Sequence, residues 1–373
     1  AEALSMDYCF PNKLEDIAVL EYAKAHHNMP SRACCYLGDL FYDKLQYEAA
    51  IENWERAAEL DPDLAVAWRN LSLAYYNKKQ DNEAARKAME KAHSLAPSDA
   101  RIFLEMDQLY KKLGVSVEER LSRYEAEREV FMKRDDLKIE YVTLLNLLGR
   151  YREACEFIME NRFHPWEGGE GKVTTQYTVA LVELAKEAME QENWKQAEDW
   201  LTRTFQYPEN LGEGKLEGTK DNHVNYYMGL IKERQNDPEA ARRYFERSAV
   251  GTDEPAGMMY YNDQPADMIY YQGMAKEKLG MPVEAKARFN KLLDYGEQHM
   301  YDRMRVSYFA VSLPDFLIFD DDLDQRNQAH CHYLIGLARM GLGDTKAAAE
   351  AFDRAVRLEP AHQNAIRYRK MCS

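Results

Sequence analysis

Apolar residues recur three and four positions apart along most of the chain, in blocks separated by short polar stretches that contain Gly, Pro, Asn or Asp. In residues 31–62, Leu37 and Phe41 share one face, Ala50, Trp54 and Ala57 share another, and Pro62 closes the block. That spacing marks one face of a 3.6-residue helix. No stretch shows the alternation expected of a strand. The pattern predicts an all-α chain of short helices arranged in pairs.

The blocks repeat. Leu37-Gly38, Ala50, Trp54, Ala57 and Pro62 return at the same offsets as Ile335-Gly336, Ala348, Phe352, Ala355 and Pro360, with Gly343 in the turn. This is the tetratricopeptide pattern, a unit of roughly 34 residues in which helix A and helix B form an antiparallel hairpin. Small residues let the two helices approach, and a large one on helix B fills the groove between neighbouring units. The proline ends helix B. Weaker copies occupy 65–97 (with one extra residue in the turn), 100–130, 135–161, 178–207, 222–249 and 266–294. With a leading helix at 12–27 and a polar capping helix at 361–371, residues 1–373 are expected to form one continuous right-handed superhelical solenoid of about eight units. N-terminal repeats would span 31–161, and the last repeat with its cap 328–373.

Four insertions interrupt the array at one kind of junction, between helix B of one unit and helix A of the next: 162–173, 207–220, 250–265 and 295–327. Insertions at equivalent points of a solenoid project from one edge, so these loops are expected there. The first carries His164, Trp166, Glu167 and Glu170, the second Glu209, Asn210 and Glu213, and the third Tyr260, Tyr261, Asn262 and Asp263. The fourth is expected to hold a helix at 296–311, followed by Pro314, Phe316 and the acidic run Asp320 to Asp324. Carboxylates, amides and aromatic rings on Gly-rich loops suit polyols, on which rings stack and hydroxyls need acceptors. They equally suit loops that pack on one another or on a neighbouring domain. A pair such as Glu167 with Glu170 or Glu213 has the residue types of a glycosidase's acid and base.

Helix A lines the concave side of such an array. Counting back three residues from Gly229, Gly273 and Gly336 gives Tyr226, Tyr270 and Tyr333; three further back stand His223, Asp267 and His330. These form either a tyrosine ladder open to a partner or the filling of a narrow interior. Near the N-terminus the groove offers Arg32, Asp39, Arg69, Asn70 and Arg101. Chaperone-tail-binding members of this superfamily clamp a terminal carboxylate with Lys, Asn and Arg; here Asn70 fits, but Cys35 and Asp39 stand at two other clamp positions.

Charge narrows the partners. The net charge of −15 is spread along the chain, which disfavours nucleic acid and anionic membranes. No apolar run reaches the roughly 20 residues a membrane span needs. Residues 1–10 have neither a basic start nor an apolar core, so the expected location is the cytoplasm, although a chain beginning with Ala can be an excised fragment. The six cysteines include no C-x-x-C pair and are expected to be reduced, buried thiols. Gly-Gly-Glu-Gly-Lys at 168–172 lacks the first glycine and the Ser or Thr of a phosphate loop. The acidic run lacks the glycine and closing glutamate of a calcium loop, and His330 and His332 on one helix splay apart. No cofactor, metal or catalytic residue is assigned.

The interruptions also resemble a narrower family. Phe163-His-Pro-Trp-Glu-Gly-Gly-Glu-Gly-Lys-Val173, Pro208-Glu-Asn-Leu-Gly-Glu-Gly214, Asp263-Gln-Pro-Ala-Asp-Met-Ile-Tyr-Tyr271 and Tyr308-Phe-Ala-Val-Ser-Leu-Pro-Asp315 look like segments of large bacterial proteins of unassigned function. In that family a β-rich, sugar-mutarotase-like N-terminal domain precedes tetratricopeptide repeats. The resemblance implies that this chain is the C-terminal part of a longer protein and that carbohydrate is a plausible context. The expected function is a non-catalytic interaction or scaffolding module that binds a peptide segment or its own N-terminal domain; the alternative is a set of loops contributing to a carbohydrate site.

Overall fold

The computed structural model describes residues 6, 11–257, 263–305 and 318–372, and all regular structure among them is helical. The expected all-α repeat fold is present. The chain forms two compact units, one of residues 1–115, 123–134 and 317–321, the other of 116–122, 135–316 and 322–373.

In the first unit the leading helix α1 (Leu14–His26) precedes the hairpins α2 (Ser31–Asp43) with α3 (Tyr47–Leu60) and α4 (Ala65–Ala74) with α5 (Asn82–Leu95). After these come α6 (Ala100–Lys112), the second half of α7 (Val117–Ala126) and the short α8 (Arg128–Phe131). Gly38 on α2 explains the closeness of the first pair: a Cβ there would overlap the Trp54 indole of α3. That indole is buried and donates from Nε1 to the Cys35 carbonyl (3.2 Å) and the Asp39 carboxylate (3.0 Å). The extra residue in the second repeat's turn has a structural counterpart. Helix α4 continues into a π-helical turn, Tyr75–Lys79, closed by Asp81 N–H on the Tyr75 carbonyl at 3.0 Å. Gln80 then turns the chain at φ 54°, and the Asp81 side chain caps α5 through the Ala84 N–H.

The second unit pairs α9 (Asp135–Leu147) with α10 (Tyr151–Glu160), α11 (Lys172–Glu190) with α12 (Trp194–Thr202), and α13 (Asn222–Arg234) with α14 (Pro238–Ser248). Then follow α15 (Ala266–Lys278) with α16 (Pro282–His299), α17 (Leu323–Gly341) with α18 (Thr345–Leu358), and α19 (Gln363–Lys370). Gly229, Gly273 and Gly336 on the A helices each face the ring of a B-helix phenylalanine, Phe245, Phe289 and Phe352 in turn, where a Cβ would overlap. Phe289 also lies against Gly341 of the following unit, so one ring serves both its own hairpin and the groove beyond it.

Two expectations need correction. The helix expected at 296–311 is the end of α16, which stops at His299; residues 301–305 are not helical and 306–311 lie outside the described residues. Asp324 draws the chain away, accepting from the Met304 N–H at 2.9 Å and pairing with Arg303 at 3.0 Å. The last helix is also more than an end cap. Beyond its contacts with α17 and α18, α19 reaches α9, α11 and α15: Gln363 bonds Gln176 (2.9 Å), Arg367 pairs with Glu183 (2.6 Å), and the Tyr368 hydroxyl donates to Asp267 (3.0 Å).

Candidate functional site

Among the described residues, the helices of the second unit leave intervals at 161–171, 203–221, 249–257 with 263–265, and 300–305, with short 3-10 turns at Arg203–Phe205 and Glu209–Leu211. The first two loops meet. Phe163 N–H donates to the Asn210 carbonyl at 2.8 Å, and the Asn210 amide donates to the carbonyls of Ile158 and Asn161, both at 2.8 Å. Gly212 passes so close that a Cβ would stand 2.6 Å from the Phe163 carbonyl oxygen. Across the same junction the Gly171 N–H donates to both oxygens of Glu213, at 3.1 and 3.0 Å. Gly171 immediately precedes α11, so this carboxylate sits where a helix presents free N–H groups and positive dipole. Burial, with the nearby Glu170 charge, raises the Glu213 pKa against the pull of the Gly171 N–H.

Of the other loop candidates, Glu170 lies close enough for its charge to act on Glu213. The exposed His164 ring faces Asp135 at 2.9 Å, and Trp166 is half-buried with its indole close against Gly169. Glu167, Glu170 and Glu209 are exposed. In the third loop the Gln264 and Gln272 amides both donate to the Thr252 carbonyl at 2.9 Å, while half-buried Asp263 acts electrostatically on Tyr295. Tyr260, Tyr261 and Asn262, like Pro314 and Phe316 of the fourth loop, lie outside the described residues.

Tyr226, Tyr270 and Tyr333 are 8%, 4% and 3% exposed. Their rings pack on Phe245, Phe289 and Phe352 at centroid distances of 6.0, 6.0 and 6.2 Å. Tyr271 and Tyr368 fill in among them, and the Tyr227 and Tyr271 hydroxyls bond at 3.0 Å. Of the two arrangements left open by the sequence, the filled interior is the one present. Asp267 is buried here, its pKa raised by burial, with Oδ1 lacking a hydrogen-bond partner. Burial, then the charges of Arg367 and Lys215, lower the His223 pKa to about 3. His330 faces the Ala256 carbonyl at 2.8 Å and burial lowers its pKa to about 4, so both rings are neutral at pH 7. Among the described residues no three His, Cys, Asp or Glu side chains gather as a metal site, and no helix is long and apolar enough to cross a membrane.

The first unit holds an arrangement that no sequence motif had marked. Its π-helical turn carries Tyr76, Asn77 and Lys78, and residues 318–321, counted within this unit, lie against them as a non-helical segment that bends at Ile318 and Phe319. The Asn77 amide donates to the Ile318 carbonyl and its oxygen accepts the Asp320 N–H, both at 2.8 Å. Phe319, between them, is 1% exposed, with its ring edge-to-face on Tyr76 at 5.3 Å. Lys112 pairs with Asp321 at 2.7 Å and Lys78 with Asp320 at 3.4 Å, and the Lys78 ammonium also lies over the Tyr47 ring. The acidic run is therefore engaged rather than simply solvated, since Asp322 also caps α17 through the Gln325 N–H. The groove residues expected nearby form their own network. Asp39 accepts from Asn70 (2.8 Å), its pKa raised to about 6 by burial, and Arg69 makes a two-point pair with Glu105 at 2.5 and 2.6 Å. The signal available in the sequence was the extra residue in the second repeat's turn.

These paired helices define a class: an α-solenoid built of tetratricopeptide repeats. Family models described as "TPR repeat" and "Tetratricopeptide repeat" match residues 38–79, and 65–99, 267–295 and 329–362, respectively. Among solved structures the chain is similar to a tetratricopeptide repeat protein from Parabacteroides merdae ATCC 43184, at 12% identity over 92% of this chain and 98% of that one, with a TM-score of 0.41. It is also similar to the APC/C hetero-tetramer Cut9-Hcn1 (12%, 97% of this chain and 60% of that one, TM-score 0.33) and to Pseudomonas aeruginosa pilF (14%, 75% and 95%, TM-score 0.24). All three TM-scores lie below 0.5, too low for function to be read across.

Proposed function

We propose that this chain is a non-catalytic protein-interaction and scaffolding module that recognises a peptide segment on the helix-A side of its first unit. Repeat solenoids use such extended surfaces for binding. The observation that carries the reading is the grip of Asn77, Tyr76, Lys78 and Lys112 on residues 318–321, in which side chains of the groove satisfy another segment's backbone, ring and charges. The carbohydrate reading draws less support: Glu213 and Asn210 hold loop to loop, and Glu167, Glu170 and Glu209 stand exposed.

The test is affinity capture with the chain as bait, followed by titration of a purified partner against the wild type, Asn77→Ala and Trp166→Ala. A saturable complex weakened by Asn77→Ala and untouched by Trp166→Ala is expected. The opposite pattern, or sugar binding abolished by Glu167→Gln, would move the site to the loops.

A further inference from the structure

We infer that the first unit is a receptor for peptides in which a phenylalanine is followed by two acidic residues, and that residues 318–321 are a resident occupant which such a partner must displace. The inference rests on the interaction-module reading above and adds the chemistry of the partner.

Three features of the groove specify that chemistry. Asn77 bonds the carbonyl of residue 318 and the N–H of residue 320, the two groups a neighbouring strand would use. That clamp holds backbone groups and reads no side chain. The residue between the clamped groups turns into the unit beside Tyr76, where Phe319 is 1% exposed; a flat ring matches the edge-to-face contact. The next two positions meet Lys78 and Lys112. In a chain of net charge −15, two lysines facing one strip of bound backbone select for acid.

The groove itself departs from the regular repeat. Tyr76, Asn77 and Lys78 all lie on the π-helical turn, a feature that often marks functional positions. The Asp320 carboxylate, at 3.4 Å from Lys78, is 66% exposed on its side chain, so this part of the occupant's hold is open to competition.

The experiment uses the full chain and an acetylated, amidated, dye-labelled peptide Ile-Phe-Asp-Asp-Asp-Leu, the sequence of 318–323, read by fluorescence anisotropy. If the resident segment fills the groove nine-tenths of the time, emptying it improves apparent affinity about tenfold. The Phe319→Ala chain is therefore expected to bind the peptide about tenfold tighter than the wild type. Adding Asn77→Ala or Lys112→Glu should cancel the gain, and a peptide with Ala for Phe should not bind. Because a lost signal alone would also follow from misfolding, the Phe319→Ala/Lys112→Glu chain is tested with a peptide carrying Lys in place of its second Asp. Recovered binding supports the groove, and none overturns it. No gain in the Phe319→Ala chain, or equal binding of the Ala peptide, also overturns the proposal. A wild-type dimer that becomes monomeric on Phe319→Ala, by sedimentation velocity, would assign the groove to a second copy and overturn the partner reading. If a captured partner binds through Asn77 while the peptide does not, the Phe-acid-acid preference fails and the interaction module stands.

Discussion

Replacing Arg367 by methionine removes the main cation facing Glu183 inside the second unit. The guanidinium donates from Nη2 and Nε to one carboxylate oxygen at 2.6 and 3.1 Å, and the two side chains are only 12% and 9% exposed. Deleting one partner of a buried pair costs about 3–5 kcal/mol, because the remaining charge stays enclosed. Lys186 continues to bond Glu183 at 2.9 and 3.1 Å, which places the expected loss near the lower limit, about 3 kcal/mol. Methionine retains most of the apolar stem, so little of the loss comes from packing. The double variant Arg367→Met/Glu183→Gln should recover to within about 1 kcal/mol of the wild type.

The dependence on pH gives the stricter test. In the wild type, burial pushes the Glu183 pKa up, but Arg367 and Lys186 outweigh it and hold the group below its ordinary value. A depressed carboxylate stabilises the fold above its unfolded pKa of about 4.3, and that stabilisation is lost as pH falls through the folded value. Without Arg367 burial prevails, the pKa rises above the unfolded value, and the variant loses stability as pH climbs between the two. Both effects widen the gap as pH rises. Hydrogen exchange on peptides covering α11 and α19 should show opening free energies lowered by about 3 kcal/mol at pH 7 and by much less at pH 4, with α2 and α3 unchanged. A loss below about 1 kcal/mol at pH 7, or one equal at both pH values, would refute the reasoning.

Further outcomes follow from single contacts. Gly229→Ala forces a methyl into the Phe245 ring and should cost about 1–3 kcal/mol, whereas Gly214→Ala, with open space around it, should stay within about 0.5 kcal/mol by calorimetry. Glu213→Ala removes the acceptor at the start of α11 and should cost about 1 kcal/mol. Glu213→Gln, which keeps an acceptor, should cost less than half of that; equal losses would mean that the charge matters more than the hydrogen bond. His330 and His223 are held neutral, with pKa values of about 4 and 3. Each contributes stability that is complete above pH 6.5 and lost as pH falls toward its folded value, at most about 1.4 kcal/mol per pH unit. His330→Asn should flatten the stability profile between pH 6.5 and 4, and an unchanged slope would remove His330 from the account.

The repeat was legible because it depends on local spacing. Gly229 with Phe245, Gly273 with Phe289 and Gly336 with Phe352 are the same contact in successive hairpins, and the offsets between them are visible in the sequence. The meeting of the first two loops was legible as a consequence of equivalent insertion points, but the role of their polar groups was not. Glu213 looks identical in sequence whether it awaits a sugar or caps a helix; only the position of Gly171 decides. Counting back from the signature glycines picked out Tyr226, Tyr270 and Tyr333, all three of which are buried. It could not show that Tyr271 and Tyr368 would occupy the space before them, since Tyr368 arrives from the chain's last helix. The grip on residues 318–321 was hidden for the same reason, with Asn77 and Asp320 separated by 243 positions.

In each unit a segment distant in sequence is held by the repeat helices or the turns that end them, and the strength of the hold distinguishes structure from exchangeable contact. In the second unit that segment is α19, with Ala365 and Tyr368 at 0% and 3% exposure and an enclosed ion pair. Burying the tyrosine contributes several kcal/mol by itself, and losing half of the ion pair costs about 3 more. Removing α19 would unravel the interior instead of freeing a site. Residues 318–321 are held by one buried ring, worth about 1.5–3 kcal/mol, two backbone hydrogen bonds from a single amide, worth about 0.5–1.5 kcal/mol each, and two ion pairs on part-exposed acids, worth about 0–1 kcal/mol each. Against these gains stands the entropy of ordering four residues, about 1–2 kcal/mol apiece for the backbone alone. The two sides nearly balance, so a competitor carrying the same ring and acids needs only a modest advantage to take the groove. On the proposed reading, that balance is what would let the first unit, and not the tyrosine-filled second, exchange partners.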